Sequence, residues 1–180
     1  QIGGRMAQWC GAMGSRVLGY DPFISKERLD ELGVEGVEMD TLVNECEIVV
    51  VTIPPTPSAR KILSRERIYR LKKGTLVVIT TRAHAVDMEA LRERIIANEL
   101  AGAFDVYDKE PVPEDDLLRN RINVVHTPHI AGRTRDANLR VAEVIASDIG
   151  RVLSGEAPQA RSSREAIAVR GERTDLPTMK

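Results

Sequence analysis

The chain has 180 residues, 42% of them hydrophobic and 29% charged, which is enough apolar material for the core of one ordinary domain. Twenty-six Lys and Arg against 27 Asp and Glu leave a formal charge of -1, so no broad field draws the chain onto nucleic acid or an anionic membrane, and neither is expected as a partner. No apolar run approaches the roughly 20 residues that cross a bilayer, and no charged-then-apolar segment opens the chain, so a soluble, cytoplasmic protein is expected. Cys10 and Cys46 have no His or Cys partner at metal spacing, which argues against a disulfide framework and a zinc site. Both read as buried apolar residues.

From residue 3 to 13, Met6, Ala7, Cys10 and Met13 recur at helical spacing, and Gly14 stops the helix. Residues 16–20 read as a short buried strand ending at Asp21-Pro22, where proline prevents continuation. Ser25 caps a second helix closed by Gly33, and Asp40 caps a third that runs to Cys46. Residues 47–53 form a β-branched run suited to a strand covered on both faces, ended by Pro54, Pro55 and Pro57. The unit then repeats: a Ser64-capped helix to Leu71, a strand over 75–80, a helix from Asp87 to Ala97, a strand over 100–106 and a last short one over 123–126. A long helix over 133–153 carries Ala137, Val141, Val144, Ile145 and Ile149 on one face.

This alternation predicts an α/β fold of the Rossmann type: a doubly wound, mostly parallel sheet with helices on both faces. Ligands of such sheets sit at the carboxyl ends of the strands. Gly3 at a helix start and Asp21 at the end of the next strand match the spacing of a dinucleotide-binding unit, in which the helix N-terminus attracts pyrophosphate and the carboxylate takes ribose hydroxyls. Arg82, Asp105, Glu110 and His129 follow successive later strands, so they and Asp21 should converge on one crevice. A fork of guanidinium donors at Arg82 would hold a small carboxylate. The cationic run of Arg65, Arg67, Arg70, Lys72 and Lys73 reads as a solvated helix face rather than a nucleic-acid patch.

Several segments together carry a resemblance: Gln1-Ile2-Gly3 as the end of a glycine-rich loop, Gly19-Tyr20-Asp21-Pro22, residues 54–57, Thr80-Thr81-Arg82, residues 100–111 and residues 127–132. From Gln1 to about Glu156 the chain resembles the NAD-binding domain of the D-isomer-specific 2-hydroxyacid dehydrogenases, the family of phosphoglycerate dehydrogenase, glyoxylate/hydroxypyruvate reductase and D-lactate dehydrogenase. The resemblance implies an oxidoreductase that moves a hydride between NAD(H) and C2 of a small 2-hydroxy or 2-oxo acid. It implies that His129 is the acid/base, Glu110 its partner and Arg82 the carboxylate clamp. By the same resemblance Gln1 and Ile2 meet the pyrophosphate beside Gly3, Asp21 meets the adenosine ribose and Asp105 the nicotinamide carboxamide. Ile53, Thr80, Arg82, His129 and Gly132 line the rest of the cofactor slot.

Asp21 followed by Pro22, with no arginine, favours NAD over NADP. A homodimer is expected from the family. So is a preceding substrate domain, which makes residues 1–155 a NAD-binding domain lacking its first strand and inactive alone, and residues 156–180 a tail. The family pattern differs at Ala83-His84, where two glycines are usual. His84 reads as a solvent-facing loop residue, with a pocket residue as the alternative. Thr52 replaces a frequent histidine and is expected to matter little. A redox-sensing transcriptional corepressor of the C-terminal binding protein type shares the fold and the Arg, Glu and His set, and stands as the other reading.

Overall fold

A computed structural model describes residues 2–160. The elements alternate along the chain as α1 (Ile2–Ala12), β1 (Leu18–Gly19), α2 (Lys26–Glu31), β2 (Glu35–Gly36), α3 (Met39–Glu45), β3 (Ile48–Val51), α4 (Arg65–Arg70), β4 (Leu76–Ile79), α5 (Met88–Ile96), β5 (Ala101–Phe104), β6 (Val124–His126) and α6 (Arg135–Leu153). Every strand pairing is parallel, and helices lie on both sides of the sheets. The strands form two sheets, β1-β2 and β3-β4-β5-β6. Between them β1 and β3 do not pair, and a groove of about 610 Å³ runs along the two edges, lined by Gly3, Leu18, Asp21, Ile48, Val50 and Thr52 among others. A doubly wound sheet places its first strand at this position.

The core lies under the larger sheet. Val77 and Ile79 of β4 are fully buried, as are Ile68 on α4 and Leu91 and Ile95 on α5. This is why β4 reads as an unbroken apolar run: a strand covered on both faces has no solvent side to encode. A Cβ on Gly102 would collide with the ring of Phe104, so glycine makes room for the largest side chain of this core. Arg94 is 4% exposed, and its guanidinium donates to the carbonyls of Ile68 (2.7 Å) and Leu71 (2.8 Å) and pairs with Glu99 (3.0 Å). It thereby gives the Leu71 carbonyl at the end of α4 a partner and the Ile68 carbonyl, which already accepts the Leu71 N–H, a second one.

The helix starts follow from capping chemistry. Ser25, Ser64, Asp87 and Thr134 each accept a hydrogen bond from a backbone N–H three residues on, and Gly14 and Gly33 take the left-handed conformation just past their helices.

The third helix departs from expectation. Its N-cap is Glu38, which makes no side-chain cap bond, while Asp40 turns to Arg67 (3.3 Å) and Arg70 (2.9 Å) of α4. Those ion pairs compete successfully for the carboxylate. Arg65 and Lys73 likewise pair with Glu93 and Glu99, and Lys72 donates to the Glu45 carbonyl, so the cationic run is held by the chain's own acceptors. Cys10 and Cys46 are half-buried rather than core residues, because both line the groove. The apolar stripe of α6 forms as a helix face but stays open: Val141, Val144, Ile145 and Ile149 are 47–58% exposed. No helix among the described residues is long and apolar enough to cross a membrane, and no group of three His, Cys, Asp or Glu among them could hold a metal ion. Residues 161–180 of the expected tail lie outside the described residues, while Gln159 and Ala160 donate their backbone N–H groups back to Asp148 on α6.

Candidate active site

Because the strands are parallel, the segments leaving β3, β4, β5 and β6 emerge at one edge. They carry Ile53, Thr80 with Arg82, Asp105 with Glu110, and His129 with Gly132, respectively. Nδ1 of His129 lies 2.7 Å from Oε2 of Glu110, and the two side chains are 32% and 37% exposed. A carboxylate only accepts, so Nδ1 carries the proton and Nε2 is the nitrogen open to exchange one. Burial acts to raise the pKa of Glu110. The hydrogen bond from His129, the backbone N–H of Tyr107 (2.9 Å) and the nearby positive charge of Arg82 outweigh it and hold the carboxyl below its ordinary range. Arg82 itself donates to the Thr81 carbonyl (2.7 Å), is exposed, and makes no ion pair among the described residues.

His129 has a φ of +55°, a left-handed conformation that a non-glycine residue adopts at a cost of about 1–3 kcal/mol. Asp105 holds it there. Its Oδ1 accepts from the Thr127 hydroxyl (2.6 Å) and the Ile130 N–H (2.9 Å), and its Oδ2 from the Ala131 N–H (3.0 Å), so the bonds bracket His129 on both sides. Burial pushes the Asp105 carboxyl up, but these three donors bring it below the ordinary value. All three go to the His129 loop, which gives Asp105 a structural task beyond any contact with a ligand.

Across the groove, Gly3 in the first turn of α1 lies so close to the end of β3 that a Cβ there would be 2.7 Å from Thr52 Oγ1. The Thr52 side chain therefore occupies the space that glycine leaves. Asp21 follows β1, lines the groove and accepts the Phe23 N–H with Oδ1 (3.0 Å), which leaves Oδ2 open. Gln1 lies outside the described residues. His84 sits in a half-buried 3₁₀ turn over Ala83–Ala85 rather than facing solvent, because the Lys61 N–H binds its carbonyl (2.8 Å) and ties the turn to the segment after β3. Thr127, Tyr107 and His126 were not singled out from the sequence. Thr127 stands in the same Thr-Pro-His segment as His129, and His126, one of three histidines, closes β6, so position alone could have pointed to both.

Residues 1–131 match the family described as D-isomer specific 2-hydroxyacid dehydrogenase, NAD binding domain. The D-3-phosphoglycerate dehydrogenase of Archaeoglobus fulgidus is 40% identical over 156 residues, which cover 86% of this chain and 30% of that protein. The glyoxylate reductase of Korarchaeum cryptofilum is 33% identical over 171 residues, covering 94% of this chain and 52% of the relative. Among solved structures, a D-lactate dehydrogenase of Aquifex aeolicus complexed with NAD and lactic acid superposes with a TM-score of 0.75 at 26% identity, over 86% of this chain and 51% of that one. The chain thus spans from about a third to about half the length of these relatives. With the match running from α1 through the His129 loop, the chain belongs to the NAD-binding domain family of the D-isomer-specific 2-hydroxyacid dehydrogenases.

Proposed function

We propose that the chain is the cofactor-binding and proton-transferring half of an NAD-dependent D-2-hydroxyacid dehydrogenase, with Arg82, Glu110 and His129 as its reacting groups. The observation that carries this is the 2.7 Å bond between His129 and Glu110 at the strand edge that also bears Arg82. The residues fit a dinucleotide. Gly3 brings the start of α1, with its unspent N–H groups, against the strand ends, which suits a pyrophosphate beside Ile2 and Gln1. Asp21 keeps one oxygen for ribose hydroxyls, and with Pro22 beside it a 2′-phosphate would face an uncompensated carboxylate. Ile53, Thr80, Asp105 and Gly132 would line the remainder of the slot. When bound, NAD(H) supplies the acceptor or donor of hydride for C2.

The chain's own groups do the rest. Arg82 grips the carboxylate of the 2-oxo acid with two parallel N–H donors and favours negative charge growing on the adjacent oxygen. In the reducing direction, protonated His129 delivers its Nε2 proton to that oxygen. Glu110, already ionised and bound to Nδ1–H, favours the imidazolium before transfer and keeps the ring aimed during it. Oxidation runs the same proton the other way. The working enzyme is a homodimer that includes the half present in the relatives beyond the matched region, so the 180-residue chain by itself binds NADH without turnover.

Calorimetric titration of the chain with NADH and NADPH checks the cofactor assignment, with NADH expected to bind more tightly. No binding, or equal affinity, would overturn it. Joined to the substrate-binding half of a relative, the chain should reduce 2-oxo acids, and His129→Asn should lower kcat about 100-fold or more, a far larger change than any in NADH affinity. Asparagine tolerates the left-handed backbone there. Unchanged turnover would remove the acid/base role.

A further inference from the structure

Glu110 is held at both oxygens, and only one of its partners is His129. The other is the backbone N–H of Tyr107, three residues upstream in the same loop, which donates to Oε1 at 2.9 Å. The Tyr107 side chain is itself anchored. Its hydroxyl lies 3.0 Å from the Phe104 carbonyl and 2.9 Å from Nδ1 of His126, and the two rings stack at 5.9 Å with 15° between their planes. Nε2 of His126 reaches the Leu118 carbonyl at 3.0 Å. We infer that Tyr107 and His126 are positioning residues, a stacked and hydrogen-bonded pair that holds Glu110 against His129. The inference rests on the proposed role of the His129–Glu110 pair.

Counting protons shows that the pair holds in either charge state of His126. Carbonyls only accept, so Nε2 carries a proton toward Leu118. With a charged ring, Nδ1–H donates to the Tyr107 hydroxyl, which passes its own proton to the Phe104 carbonyl. With a neutral ring, the hydroxyl turns its proton to Nδ1, and the Phe104 carbonyl still has the Thr127 N–H at 2.9 Å. Burial, and next the carboxylates of Asp105, Asp116 and Glu110, push the Tyr107 phenol above its ordinary value, so it keeps the proton both schemes need.

The frame is braced from the far side. Arg92 on α5 grips Asp108 through two bonds (2.6 and 2.9 Å) and Asp116 through a third (3.1 Å). Asp116 accepts the Leu118 N–H (2.8 Å), which fixes the residue whose carbonyl meets His126. The loop carrying Glu110 is thus pinned to α5 at residue 108 and to β6 at residue 107.

Carbon NMR of the Glu110 carboxyl in the 180-residue chain, followed through an acid titration, tests this without needing turnover. Tyr107→Phe removes the hydroxyl. His126→Gln keeps a polar group toward Leu118 but loses the one at Nδ1, whereas His126→Asn keeps the Nδ1 position. The Glu110 midpoint should rise by about half a pH unit or more in Tyr107→Phe and His126→Gln and stay at the parent value in His126→Asn. An identical midpoint in all four proteins, or His126→Asn behaving like His126→Gln, would overturn the inference. Should a His126 variant fail to fold, Tyr107→Phe, which deletes one oxygen from a half-buried ring, decides alone. A chain that fails to bind NADH refutes the dehydrogenase proposal yet leaves this titration readable, and an unmoved Glu110 in a chain that binds NADH refutes the positioning role only.

Discussion

The two sides of the groove are built differently. The β3–β6 side buries Val49, Val77, Ile79, Leu91, Ile95 and Phe104, and carries at its edge the His129 loop with its bracketing bonds to Asp105. On the α1–β2 side Val34 is the one buried hydrophobic residue, no residue of α1 or α2 is buried, and both strands have two residues. The side that holds the proposed acid/base pair is internally complete. The side expected to receive the adenosine leans on close approaches such as Gly19 and Gly36 against Val34 and Leu29. A group that must move a proton needs a fixed position, and the proposed proton-transfer pair lies on the densely packed side, while the proposed adenosine site sits where packing is thinnest.

Four measurements would break or sharpen this contrast. The largest effect belongs to the dense side: Phe104→Ala should cost about 3–5 kcal/mol in urea unfolding, against about 1 kcal/mol for Leu29→Ala across the groove. Equal losses would mean that the two sides do not differ as described. Next, Asp21→Ala should weaken NADH binding about tenfold and narrow the gap to NADPH, with no change in the Glu110–His129 pair. Calorimetry measures the first effect, and NMR of the His129 ring the second.

The third concerns acid. Asp105 and Glu110 have depressed values in the folded chain, so their contribution is complete above the ordinary carboxylate range and is lost as pH falls through the folded values. Tm should therefore be level down to about pH 4.5 and then fall by several degrees, and Asp105→Asn should flatten the fall. A Tm that drops already near neutrality would contradict it. The smallest effect is expected on the thin side. Arg16 reaches Glu35 and Glu45 at 2.9 and 2.8 Å, but all three groups are open to water. Arg16→Ala should leave the urea unfolding midpoint indistinguishable from the parent's, and a clear fall in the midpoint would show that this side depends on its surface ion pairs.

What the sequence reveals follows the same division. β3 and β4 on the dense side announce themselves as apolar runs because Val49, Val51, Val77 and Ile79 are buried and Val50 and Val78 between them are half-buried, and Ser25, Ser64 and Asp87 mark helix starts through bonds that are local in the chain. β2 escapes notice because Glu35 and Gly36 are both exposed and show no alternation. Asp40 misleads because its partners, Arg67 and Arg70, are distant in sequence. The stripe on α6 is legible as a helix face but carries no information about what meets it. Within the site, the order Arg82, Glu110, His129 after successive strands suffices to place them at one edge, whereas the bond from His126 to Tyr107 depends on the stacking of rings 19 residues apart. Periodicity is silent about contacts of that kind.

The open border of β3 bears on how the chain behaves at high concentration. Ile48 there is 58% exposed, and along that border the described residues offer the strand's amide hydrogens and oxygens no neighbour. A row of this sort is a template for any extended polypeptide, including a second molecule of the same kind. Storage of the isolated chain thus favours dilute solution or an added peptide that shields the row, since crowding promotes edge-to-edge pairing of such borders.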